Sequence, residues 1–201
     1  MYVVGITGGI GSGKSAVTDH LETFGISVVD ADKVSRVVVE PGTSGLAAII
    51  EHFSADILLA DGSLDRAALK KIVFDSPDER KVLERITHPL IRDEITRQLS
   101  EASSPYAVLS SPLLLESGQS TVTDYVIVID VPEEVQLRRT MARDDNSEAL
   151  VKQIMAAQLD RQTRLARADT SINNDASLEA LYERVEVLHE DLLARAATAS
   201  S

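Results

Sequence analysis

Residues 8–15 read Gly8-Gly9-Ile10-Gly11-Ser12-Gly13-Lys14-Ser15. This is the spacing G-x-x-x-x-G-K-[ST], with β-branched and apolar residues before it and helix-spaced Val17, Leu21 and Phe24 after it. Each residue type has a physical reason to be there. Glycines reach left-handed torsions and let the backbone approach a ligand closely. Successive N–H groups of Gly8, Gly9, Gly11, Ser12 and Gly13 can then line a concavity for an anion. The next helix, beginning at Lys14, Ser15 and Ala16, adds the positive end of its dipole. Lys14 supplies a mobile point charge for β- and γ-phosphates. The Ser15 hydroxyl is a hard oxygen donor suited to Mg²⁺. With a strand before and a helix after, the stretch reads as a loop for a nucleotide's phosphate tail rather than a glycine-rich turn with a solvated lysine.

Such a loop works only if a scaffold holds it. Residues 2–7 read as a buried strand, and residues 26–30, 106–110, 125–131 and 168–173 as four more. Helices fill the intervals. Ser76, Pro77 and Glu79 give a helix start, and Pro89 reads as the start of another helix, to about residue 102. A helix is expected over 132–143, acidic at its start and basic at its end, as the dipole favours. Ser147 reads as the cap of a long helix to about residue 166. Leu178, Leu181, Val185, Leu188 and Leu192 form the apolar stripe of a last helix, and residues 194–201 are expected to fray. Alternation of strand and helix predicts an α/β fold with helices on both faces of the sheet.

Composition narrows the classes. The chain has 201 residues, 44% hydrophobic and 26% charged, with 3% aromatic residues and no Trp. Its net charge of −12 argues against general nucleic-acid binding, which needs clustered Lys and Arg. No apolar run approaches the roughly 20 residues that span a bilayer, and the N-terminus carries no export signal. With no Cys, disulfides and thiolate metal sites are excluded. A cytoplasmic protein without membrane attachment is expected.

The loop alone leaves three classes open: a switch GTPase, an ATP-driven motor and a small-molecule kinase. No N-K-x-D guanine signature is present. The third strand runs into Ser110 and Ser111 rather than into an acidic residue, unlike the strand a motor ATPase uses to hold its metal. A kinase needs a base near the γ-phosphate and a lid that excludes water.

At this point the chain resembles the dephospho-coenzyme A kinase family. "TGGIGSGKS", "VVDAD", "VVVEPG", "DGSLDRAALKKIVF", "ITHPLI" and "SPLLLES" follow in that family's order, then "DVPEEVQLRRTMARD" and "QLDRQTRLARADTSINND". The resemblance spans roughly residues 1–190. It implies ATP-dependent phosphorylation of the ribose 3′-hydroxyl of dephospho-CoA, with ATP and Mg²⁺ required. It also implies a P-loop core of about five parallel strands from residues 1–32, 104–135 and 168–201, a helical acceptor-binding insertion over 33–103, and a helical lid over 136–167. A monomer or weak homo-oligomer is expected.

The same resemblance implies roles for particular residues. Asp32 of "VVDAD" is placed to take the proton of the attacking hydroxyl, while Asp30 is open between a structural hydrogen bond and the outer shell of Mg²⁺. Arg139 maps onto the lid arginine, and Arg143 shares its helix face. Arg161 crowds the second arm helix with Arg164 and Arg167; some of these are expected to contact the nucleotide or the lid, and Arg161 is expected to bind substrate. His88 falls in the acceptor lobe, and Leu114 and Glu116 fall in an acceptor segment after the third strand. Asn174 falls in the segment near the nucleotide base, although Ala176 stands where a Gly is often found. Mg²⁺ is then expected on Ser15, phosphates and waters.

Overall fold

The structure is a computed structural model, and it describes residues 1–145 and 147–199. It divides into two compact units, one of Met1–Val29 with Leu99–Ser201 and one of Asp30–Gln98.

The larger unit is built on a five-stranded sheet. Its strands are β1 (Tyr2–Gly8), β2 (Ser27–Asp30), β3 (Tyr106–Ser110), β4 (Tyr125–Asp130) and β5 (Thr170–Asn173). The strand order is β2-β3-β1-β4-β5, so the glycine-rich stretch leaves the central strand. β1 pairs in parallel with β3, Val4 opposite Val108, and with β4, Ile6 opposite Ile127. β4 pairs in parallel with β5, Ile129 opposite Ile172. The central strands are buried on both faces, which is why Val3–Ile6, Ala107–Leu109 and Val126–Ile129 are apolar runs rather than alternating ones. Gly5 is required within β1: a Cβ there would lie 2.6 Å from Leu114.

Helix α1 (Lys14–Thr23) follows the loop, and the last helix, α9 (Leu178–Ala199), packs beside it. Val17 and Leu21 of α1 join Leu181, Val185, Leu188, Leu192 and Ala196 of α9 in one core with Val4, Ile6 and Ile127. The spacing of the α9 residues keeps them on one face. The expected fraying from residue 194 is not observed, since α9 stays helical to Ala199. The alanines there are strong helix formers. Residues 200 and 201 lie outside the described residues.

The smaller unit contains α2 (Ala31–Val37), α3 (Ser44–Phe53), α4 (Arg66–Asp75) and most of α5 (Pro77–Glu101). Three helices start at side-chain caps: Asp30 for α2, Thr43 for α3 and Asp65 for α4. His52 of α3 meets Glu79 of α5 at 2.6 Å. The expected helix start at Pro89 is corrected: Pro89 sits inside α5, which runs unbroken across it. Proline removes one ladder hydrogen bond, to the carbonyl four residues earlier. Arg85 and Pro89 are both exposed, so that loss falls on the solvent side, where it is best tolerated.

The arm between β4 and β5 comprises α6 (Glu133–Asp144), α7 (Glu148–Ala156) and α8 (Arg161–Ala166). A single helix from Ser147 to residue 166 was expected, and the structure breaks it after Ala156. Asp160 starts the second segment. Its carboxylate accepts from the Thr163 amide at 2.8 Å and caps a new helix, α8. Among the described residues, no helix is long and apolar enough to cross a membrane.

Candidate active site

The phosphate loop begins where β1 ends. Ser12 N donates to the Gly9 carbonyl at 3.0 Å, a tight turn inside the loop. Gly11 (φ 72°) and Gly13 (φ 86°) take left-handed torsions that glycine adopts without strain. Gly13 is the N-cap of α1, and no side chain caps that helix. An anion at this helix start would meet the positive end of the α1 dipole with no side-chain cap in its way. Ser15 stands exposed in the first turn.

Neighbouring strand ends hold the loop in place. Lys14 Nζ donates to Ser110 Oγ, at the buried end of β3, at 2.7 Å. Asn174, just past β5, is buried; its Nδ2 donates to the Ser12 carbonyl at 2.7 Å and its amide to the Asp130 carbonyl at 2.8 Å. A Cβ at position 13 would collide with Asn174 Nδ2, so this glycine is needed for space as well as for its torsion.

The arm supplies the opposite wall. Gln136 and Thr140 of α6 are buried at 4% and 0% exposure. Cβ atoms at Gly9 and Gly11 would lie 2.6 Å from Gln136 Oε1 and from Thr140 Oγ1. Arg139 Nη1 lies 4.0 Å from where a Gly13 Cβ would sit. From the α7–α8 turn, Gln158 Oε1 accepts the Ile10 amide at 2.9 Å.

Cations gather on this side of an acidic chain. Arg161 forms a two-pronged pair with Asp130, at the end of β4, and the pair raises the arginine's pKa. Arg161 also borders a cleft of about 550 Å³ with Glu133, Asp160, Gln162 and Leu165. Arg164 is buried at 5% exposure and donates to the Leu159 carbonyl. Burial pushes its pKa down, while the carboxylates of Glu116, Asp130, Asp160 and Glu133 support its charge.

The structure therefore brings together Gly8–Ser15, Arg139 and Asn174, with Arg161 joined to them through Asp130. Arg143 is exposed and donates to Asp144 at 2.7 and 2.8 Å. Leu114 is fully buried in the core against the Gly5 face of β1. Glu116 is engaged by the arm, accepting the Leu159 amide at 3.0 Å. In the smaller unit, the Asp30 carboxylate accepts from the amides of Asp32 at 2.8 Å and Lys33 at 3.2 Å, capping α2. Asp32 is exposed in the first turn of α2, and His88 is exposed on α5.

Asp130, Gln136, Thr140 and Gln158 escaped the sequence reading, and Ser110 entered it only as a strand end without an acid. Ser110 and Asp130 end parallel strands, the edge where α/β sheets bind ligands, and that position was a usable signal. The three arm residues carry no local motif. Among the described residues, no group of three His, Cys, Asp or Glu side chains forms a metal cage. The oxygen donors that fit Mg²⁺ here are Ser15 and a bound phosphate chain, which suits an ion that keeps most of its waters.

Comparison with known proteins agrees with this geometry. The sequence model of the dephospho-CoA kinase family matches residues 2–180. A dephospho-CoA kinase from Idiomarina loihiensis is 53% identical over 193 residues, covering 96% of each chain. The structure of dephospho-CoA kinase from Campylobacter jejuni superposes with a TM-score of 0.72 at 28% identity, covering 96% of this chain and 97% of that one. A shikimate kinase from Acinetobacter baumannii shares the fold, with a TM-score of 0.55 at 18% identity over 97% of this chain and 94% of that one. A P-loop on the central strand, arginines on the facing arm and a full-length match lead to one assignment: the chain belongs to the dephospho-CoA kinase family, the kinases of the last step of coenzyme A biosynthesis.

Proposed function

We propose that this chain binds ATP on the loop of its larger unit and transfers the γ-phosphoryl group to the ribose 3′-hydroxyl of dephospho-CoA, acting in the cytoplasm as a monomer or weak homo-oligomer. The observation that carries the reading is the uncapped start of α1 behind Gly13, with Lys14 beside it. The N–H groups of Gly11, Gly13 and Ser15 cradle the phosphates, and Lys14 exchanges its hydrogen bond to Ser110 for the β- and γ-oxygens. Arg139 places its guanidinium on the oxygens of the transferring group, where charge is spread in the transition state.

In the transfer, a bond forms between the 3′-oxygen and the γ-phosphorus, and the bond from that phosphorus to the bridging oxygen of ADP breaks. Asp32 accepts the hydroxyl proton. Asp30 supports this division of labour, because capping α2 falls to Asp30 and not to Asp32. His88 and the smaller unit receive the acceptor, and residues 136–167 act as the lid. Ser15 holds Mg²⁺ together with phosphate oxygens and waters. When bound, Mg²⁺ neutralises charge on the β- and γ-phosphates.

Lys14→Met tests the reading. Lys14 is only partly buried, so the variant folds, with a stability loss of about 1 kcal/mol for the lost bond to Ser110. Its transfer rate falls by about 10²-fold or more, the scale of losing a fixed charge at developing negative charge. Near-parental turnover would overturn the phosphate-loop assignment.

A further inference from the structure

The peptide plane between Gly9 and Ile10 is held at both edges. Its carbonyl accepts from Ser12 N at 3.0 Å, inside the loop. Its N–H donates to Gln158 Oε1 at 2.9 Å, outside the loop and 148 residues away in sequence. The plane lies between Gly9 and, one residue on, Gly11 at φ 72°. Gly9 makes rotation on its side of the plane inexpensive. The Ser12 bond restrains the carbonyl edge from inside the loop, and Gln158 restrains the N–H edge from outside it.

Gln158 is itself well fixed. It sits in the turn between α7 and α8, where the next residue is tied twice. Leu159 N donates to Glu116 Oε1 at 3.0 Å, and the Leu159 carbonyl accepts from the buried Arg164. The α8 cap at Asp160 completes the turn. A carboxamide on a fixed backbone makes a firm anchor, whereas one on a loose loop would not.

We propose that Gln158 is a positioning residue for phosphoryl transfer: by pinning the Ile10 amide, it sets the orientation of the phosphate loop and joins that loop to the arm. It touches no reacting atom. Its effect runs through the Gly9–Ile10 plane to the N–H groups that follow, beginning at Gly11. The inference rests on the reading of Gly8–Ser15 as a phosphate loop.

Two variants of the full chain test it. Gln158→Met keeps the side-chain length and removes the acceptor. Gln158→Glu keeps the length and restores an oxygen. Amide exchange at Ile10, read by NMR, reports the bond directly. In Gln158→Met it accelerates by about 10-fold or more, as for an amide released from a native hydrogen bond, while β1 amides are unchanged. The same variant loses about 10-fold in kcat, with KM for ATP within about 3-fold, because misplacement costs rate more than binding. Gln158→Glu keeps Ile10 protected and restores kcat to within about 3-fold of the parent; its added charge appears as a raised KM for ATP.

Unchanged Ile10 exchange in Gln158→Met overturns the pin. Faster exchange with parental kcat overturns the positioning role. A Gln158→Glu variant as slow as Gln158→Met, with Ile10 still protected, does the same. Binding of ADP to the parent chain is measured alongside. Its failure would strike the phosphate-loop reading itself, whatever the two variants do to Ile10.

Discussion

Arg161 donates two hydrogen bonds to Asp130, Nε to Oδ1 at 2.7 Å and Nη2 to Oδ2 at 2.6 Å. The Asp130 side chain is 11% exposed and the Arg161 side chain 41% exposed, so the pair lies at the edge of the core. The Asp130 carbonyl also accepts the amide of Asn174, whose side chain holds Ser12. Arg161 thus braces the β4 end of the phosphate loop from the arm. Arg161→Ala strands a nearly buried carboxylate, a loss of about 1.5–3 kcal/mol for hydrogen bonds to a charged group. In a chain of this size the melting temperature falls by roughly 4–8 °C. Adding Asp130→Asn recovers most of that loss, because the stranded charge is gone. Calorimetry on the two single variants and the double variant checks this. Two stable single variants would leave Arg161 with no bracing role.

The two aspartates of "VVDAD" are predicted to separate cleanly. Asp30→Ala removes the cap of α2 and costs about 1 kcal/mol of stability. Asp32→Asn leaves the cap in place and keeps the parental melting temperature. ADP binding stays within a few-fold, and kcat falls by about 10²-fold, the worth of a general base. Melting temperature and kcat, measured on one preparation of each variant, decide the matter. A stable, fully active Asp32→Asn would remove Asp32 from the mechanism.

Glu94 makes the pH dependence specific. It accepts from Arg97 at 2.6 and 2.8 Å and from Gln98 at 2.8 Å, and these bonds pull its carboxyl from 4.5 down to about 2. A lowered pKa in the folded state means that the folded chain favours the ionised form. The resulting stability is complete above about pH 4.5 and drains away as pH falls towards 2. Arg97 is 53% exposed, so the effect is that of a surface pair. Glu94→Gln should melt about 1–2 °C below the parent at pH 7 and converge with it near pH 2. A gap that widens on acidification would contradict the assignment.

The lid reading predicts a local response to ligands. Most of α7 is exposed, with Val151 buried. Closure over ATP and acceptor should slow amide exchange in α7, while β1, already buried, stays unchanged. Exchange in α7 that is indifferent to an ATP analogue plus dephospho-CoA would count against a lid.

Legibility in the sequence tracked how local each cause is. The loop was readable because its glycines, Lys14 and Ser15 act within eight consecutive residues. The central strands were readable because burial on both faces leaves apolar runs. Pro89 misled because its cost is local, whereas the solvent-facing side of α5 that absorbs it is set by the fold. Asp160 was a local signal passed over: a capping residue inside an otherwise helical stretch. The bonds of Lys14 to Ser110 and of Ile10 to Gln158 span 96 and 148 residues, and nothing in either segment announces the other. Leu114 illustrates the reverse case. Its motif suggested a ligand contact, but the space above Gly5 draws it into the core.

The most direct test of the central claim is ADP release by the purified chain with ATP, Mg²⁺ and one acceptor at a time: dephospho-CoA, AMP, adenosine, shikimate or gluconate. Phosphorus NMR of the product locates the new phosphate. The account predicts rapid release with dephospho-CoA alone and a new monoester on the ribose 3′-oxygen. Faster release with any other acceptor, or a phosphate at another position, would contradict it.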